Sequence, residues 1–166
     1  MNRPTGAAGN ATRGTGQALT EFALIVPIIA ILLVAAIDVG RFVFAYNSVT
    51  NGAREGARLA IVNQDQTMII QRAIAQTAIA ETDAPNVTIE FWKPLPNGNP
   101  SNVVCNPAGF GCVVIVTFET TYSPITPIIK NILFANGVTV AAKSIQIVEF
   151  TCPNSTTTAA NCPKQP

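Results

Sequence analysis

Residues 16–58 read GQALTEFALIVPIIAILLVAAIDVGRFVFAYNSVTNGAREGAR, and the interpretation of this stretch decides the fold. From Phe22 to Ile37 there is no charged residue, and a single carboxylate, Glu21, precedes the run. At about 1.5 Å rise per residue that centre is roughly 24 Å long as a helix. The hydrocarbon core of a bilayer is ~30 Å thick, so the flanks Gln17–Thr20 and Val39–Ala45 are needed to complete a span. Three readings compete: a signal-peptide core, a membrane anchor, or a helix packed in a soluble domain. A removable signal has a 7–15-residue apolar core and a small-residue exit. Here Leu24 to Ile37 runs on into an amphipathic helix without a suitable exit, which favours a permanent single-pass anchor with Leu19, Phe22, Pro27 and Ile37 in its span. Pro27 removes one helical donor and is expected to kink the span, which neighbours in a membrane can tolerate.

The rest of the composition agrees with an anchored chain. The 166 residues suffice for one ordinary domain. Only 11% are charged, 48% are hydrophobic, and the mean hydropathy is +0.34. A net charge of +1 provides no basic field for nucleic acid. Histidine is absent, so the commonest general base and the commonest metal ligand are missing. Cys105, Cys112, Cys152 and Cys162 follow the apolar run at spacings wider than zinc-type C-x2-C pairs. Two disulfides in an oxidising compartment are favoured over free buried thiols. Four cysteines permit three pairings, of which the local ones, 105 with 112 and 152 with 162, are preferred.

Working outward, residues 1–16 are a polar Gly/Ala/Thr-rich leader with Arg3 and Arg13 and no acid, expected to be disordered. Its basic residues favour a cytoplasmic amino terminus, although Arg41, Arg54 and Arg58 stand on the other side of the span. Residues 17–62 are expected to form one helix that leaves the membrane near Asp38 and Arg41, which are spaced to pair. Phe42, Phe44 and Tyr46 fall near the headgroups. Gly52, Gly56 and Ala60 recur every fourth residue and flatten one helix face. Such a face suits close approach of a neighbouring helix in a membrane or packing on the chain's own sheet. Arg54, Glu55 and Arg58 are expected on a solvated face.

Residues 63–150 are expected to be a small α+β head. A second helix is predicted over 66–81, strands over 87–92 and 138–150, and a loop or hairpin tip over 94–102. A hairpin is predicted between 103–105 and 112–122, its tip closed by a Cys105–Cys112 bridge. Pro127 is placed at the first turn of a short apolar helix. Residues 151–166 form a polar tail, tethered if Cys152 pairs with Cys162.

Taken together, Gly16-Gln17-Ala18-Leu19-Thr20-Glu21-Phe22, the apolar run with Pro27, Asp38-Val39-Gly40-Arg41 and Ala53-Arg54-Glu55-Gly56-Ala57-Arg58 resemble the TadE-like family. Its members are minor pseudopilins and pilus-assembly proteins of Tad (Flp-type) type IV pilus systems. The resemblance is strong over residues 14–60 and looser in the head. Thr20 departs from it, an apolar residue being usual there. The resemblance implies that a membrane aspartyl (prepilin) peptidase cuts between Gly16 and Gln17, five residues before Glu21. It further implies that Glu21 meets the new ammonium of the same or a neighbouring subunit, offsetting the cost of a carboxylate near lipid. The plain alternative is a Glu in a first helical turn, favoured by the dipole and wetted by interfacial water.

Two classes of function follow. One is a structural protein that joins or supports a pilus or secretion filament, with the membrane and other pilus subunits as partners. The other is a single-pass envelope protein whose disulfide-tied head binds another ligand. An enzyme is not expected. No cofactor, metal or catalytic residue is expected either, since no paired carboxylates, phosphate loop or nucleophile elbow is visible.

Overall fold

A computed structural model describes residues 13–77, 86–132, 137–153 and 161–162. The long helix α1 spans Arg13–Ala60 and passes through Pro27 without interruption. It begins within the segment predicted as leader, so residues 13–16 are helical, and residues 1–12 lie outside the described residues. Its end comes at Ala60, two residues earlier than expected, where the Val62 N–H turns back to the Leu59 carbonyl (3.1 Å).

Asp65 caps α2 (Gln66–Ala75) by accepting from the Thr67 and Met68 amides at 2.9 and 3.2 Å, which satisfies donors that a helix start leaves open. This helix is shorter than predicted: a turn follows at Gln76, and residues 78–85 lie outside the described set. Four strands follow, β1 (Asn86–Pro94), β2 (Pro100–Val104), β3 (Val113–Tyr122) and β4 (Val138–Ile147), with the short helix α3 (Pro127–Ile132) between the last two. They form one antiparallel sheet in the order β2-β1-β3-β4. Anchor helix, second helix and sheet make the α+β architecture that the sequence pattern predicts.

The predicted hairpin between 103–105 and 112–122 is corrected. Val104 pairs with Trp92 of β1, and β1 rather than β2 lies beside β3. Residues 105–112 therefore cross over β1 instead of forming a hairpin tip. Of the two readings of 94–102, loop or hairpin tip, the structure has the tip, 95–99 joining antiparallel β1 and β2. It is shorter than predicted because Pro100 opens β2, and an edge strand tolerates the missing proline donor. The terminal strand stops at Ile147 rather than at 150, where Glu149 and Phe150 donate instead to the Ile61 carbonyl beyond the end of α1 (3.1 Å each).

Register explains the core. Val87, Ile89 and Phe91 stand opposite Phe118, Val116 and Val114 on one sheet face. Val114, Val116 and Phe91 are buried with Ala57, Leu59, Ala60 and Ile69 of the helices. Phe118, Tyr122 and Val140 are buried with Ala45, Val49, Ala53 and Ala73. The distal half of α1 is thus a ridge laid across the sheet, and its small residues allow the approach. A Cβ on Gly52 would sit 2.6 Å from Thr77 Cγ2 and 2.8 Å from the Ala73 carbonyl. On Gly56 it would sit 3.1 Å from Ala73 Cβ and 3.3 Å from Val116 Cγ1. The Gly52–Gly56–Ala60 face is accordingly filled by the chain's own α2 and β3.

Candidate anchoring and assembly site

From Leu19 to Ile37 the large apolar side chains of α1 are exposed on every side, Leu19, Phe22 and Ile37 each by more than 60%. A helix that is apolar all round has no polar face to offer water and belongs inside a protein or a membrane. Among the described residues no other element covers it. The segment spans roughly 28 Å at about 1.5 Å per residue, close to a hydrocarbon core. It is the single helix among the described residues long and apolar enough to cross a membrane.

At its leading end the predicted cleavage and assembly residues, Gly16 to Glu21, lie within about a turn and a half of helix. The Gln17 side-chain amide donates to Glu21 Oε1 at 3.2 Å, the favourable i,i+4 arrangement. The Thr20 hydroxyl donates to the Gln17 carbonyl at 2.8 Å. That bond gives Thr20 an internal partner, so a hydroxyl where an apolar residue is usual leaves no open donor at the edge of the span. A Cβ added to Gly16 would meet nothing within 4 Å, and the residue is exposed.

The trailing end is where the head begins. Asp38, only 6% exposed, is the first residue after Ile37 that the head covers. Its carboxylate accepts the Ile125 amide at Oδ1 (3.2 Å) and the Thr126 amide at Oδ2 (3.1 Å). The Tyr122 hydroxyl donates to the Asp38 carbonyl (3.0 Å), and its ring stands edge-on to Phe42 with centroids 5.6 Å apart. Asp38 follows the bare Leu19–Ile37 run and is covered by the head. The Thr126 side chain, the two amides and the nearby Arg41 charge hold its carboxyl below the usual value, against burial that acts the other way. Burial, with the Asp38 charge second, pushes the Tyr122 phenol up. The sequence pattern marks Asp38 as an interfacial partner for Arg41; its role as the clasp for residues 125 and 126 has no local signal beyond an acid at the end of an apolar run.

Farther along α1, Glu55 accepts from Arg58 (3.1 Å) and from Arg72 of α2 (3.2 Å), fastening the two helices. At the far pole both local disulfides are formed, Cys105–Cys112 and Cys152–Cys162. Gln64 ties the end of α1 to the second: its backbone amide donates to the Cys152 carbonyl (2.9 Å) and its side chain accepts the Cys152 amide (2.8 Å). Among the described residues no group of three or more Cys, Asp or Glu is placed to hold a metal ion.

The anchor, its acidic turn and the helix ridge coincide with one known pattern. Residues 16–58 match the TadE-like protein family. This TadE-like segment opens at the Gly16–Gln17 peptide and runs through the exposed span, the Asp38 clasp and the glycine face under the sheet. The sheet and both disulfides lie beyond it. No curated protein and no solved structure matches the chain.

Proposed function

We propose that this chain is a membrane-anchored, minor-pseudopilin-like protein that acts by assembly rather than catalysis, in building a Tad/Flp-type pilus or a related secretion filament. The observation that carries the reading is the coincidence of the TadE-like segment with a helix whose span is bare on all sides and whose distal half is packed into a compact head. On this reading the amino terminus is cytoplasmic and the disulfide-tied head lies outside the cell membrane, where thiols oxidise. Its partners are lipid, other pilus subunits and a prepilin peptidase.

Cleavage after Gly16 would leave Gln17 as the new amino terminus, one turn from Glu21, to which its side chain already donates. The Gly16–Gln17 bond lies near the start of α1. Opening the first turn of a helix is cheap, so the bond is accessible to a protease without disturbing the span. The bare apolar helix supports packing against like helices, with Glu21 seeking an ammonium where lipid offers no water. The test is twofold. Mass spectrometry of membrane-extracted protein should find a chain beginning at Gln17, and one still beginning near Met1 would refute processing. Glu21→Ala should abolish piliation with normal membrane insertion, and unchanged piliation would refute the assembly role.

A further inference from the structure

On the side of α1 that the head leaves uncovered, the apolar surface does not stop where the head begins. Val39, Val43 and Tyr46, spaced i, i+4, i+7, remain exposed, as does Phe44. Immediately beyond, the uncovered side changes to Asn47, Asn51, Arg54 and Arg58, all exposed. The polarity boundary on the bare side therefore lies at Tyr46, whereas the head already covers the opposite side from Asp38. From Asp38 to Tyr46 is about 12 Å along the helix. From Leu19 to Tyr46 is roughly 40 Å, the thickness of a bilayer with its headgroup layers, ~40–45 Å. A Tyr at that boundary fits the aromatic belt of a membrane interface. The part of the head at the same level is the loop held by Asp38, where Ile125 is 60% exposed although its amide is pinned to the carboxylate.

We propose that the base of the head is seated in the outer headgroup layer, with Ile125 on one side of α1 and the Val39–Val43–Tyr46 stripe on the other in contact with lipid. The occupant is lipid because this apolar surface is continuous with the span and ends at one bilayer thickness. This inference rests on the anchor reading, and the experiment separates the two. The full chain, with Trp92→Phe, is reconstituted in phosphatidylcholine vesicles carrying Ile125→Trp or, as a span reference, Ile28→Trp. Emission is then compared in lipids brominated near the top or near the bottom of the acyl chains. Ile125→Trp should be blue-shifted and quenched mainly by the shallow bromines, Ile28→Trp mainly by the deep ones, and Trp92 of the unaltered chain by neither. Val43→Trp, at a residue of α1 that is 49% exposed, repeats the measurement and should match Ile125→Trp. Unquenched emission from residues 125 and 43 with a quenched residue 28 overturns the seating and leaves the anchor standing. An unquenched residue 28 overturns the anchor itself.

Discussion

Asp38 is where lipid-facing helix and folded head meet, and its chemistry fixes how they are joined. An acid at the end of an apolar run is costly unless its oxygens are occupied, and here two amides from the 125–126 turn occupy them. Asp38→Ala leaves those amides unpaired in a covered site and should cost about 1–3 kcal/mol, read as a lower thermal midpoint of the head in detergent. The same carboxylate has a pH signature. Because its value in the folded chain is lowered, its contribution is complete above the ordinary carboxyl value of about 3.8. It is lost as the pH falls below that, through the lowered folded value. Acid titration of wild type against Asp38→Asn should show an extra destabilising step in the wild type alone, confined to that acid window. At the other end of the span, Glu21 has Gln17 as its partner within the chain, a pair that any i,i+4 reading of the helix would find.

At the scale of the element, α1 performs two tasks with one geometry, and its glycines distinguish them. Gly40 has nothing within 4 Å of a Cβ position, so Gly40→Ala should leave the stability unchanged or raise it by up to about 1 kcal/mol of helix propensity. Gly52 is jammed against α2, and Gly52→Ala should cost ~1–3 kcal/mol through forced displacement of Thr77 and the Ala73 backbone. Gly56→Ala should fall between, its nearest neighbours being side-chain methyls. Thermal unfolding of the three variants in one detergent tests the order; equal effects would mean that α2 and the sheet do not press on this face. The helix period of the small residues is plain, but period alone leaves open whether their partner is another chain or the same one. The sheet's register closes that question: Val116 and Ala73 already stand in the groove.

Across the whole molecule, the head is closed at both poles. Near the membrane it is held by the Asp38 clasp, and at the far end by Gln64 and the two short disulfide loops. Because each disulfide closes a short loop, its stabilisation should lie toward the lower part of the usual range of about 2–4 kcal/mol. Replacing Cys105 and Cys112 together by Ala should therefore lower the head's midpoint while leaving membrane insertion intact, since the span makes no use of the far pole. Extraction by detergent but not by alkaline carbonate, for wild type and variant alike, checks the second half of that expectation.

How much of this is legible in the sequence follows from the range of the interactions. The anchor, the acidic turn, the small-residue ridge and the two disulfide pairs are readable because each depends on residues close in sequence, through helix period, hydropathy or short loops. The crossing of residues 105–112 over β1 is not, since strand pairing joins distant segments and a Val-rich arm carries no mark of which neighbour it will take. Nor is the role of Asp38, whose oxygens are met by amides far along the chain. By itself the amino-acid order determined that an oily helix leads into a small α+β head; only the tertiary structure decided which face of that helix the head covers. The reason is that local propensity sets where a helix forms, whereas burial of its faces is a property of everything packed around it.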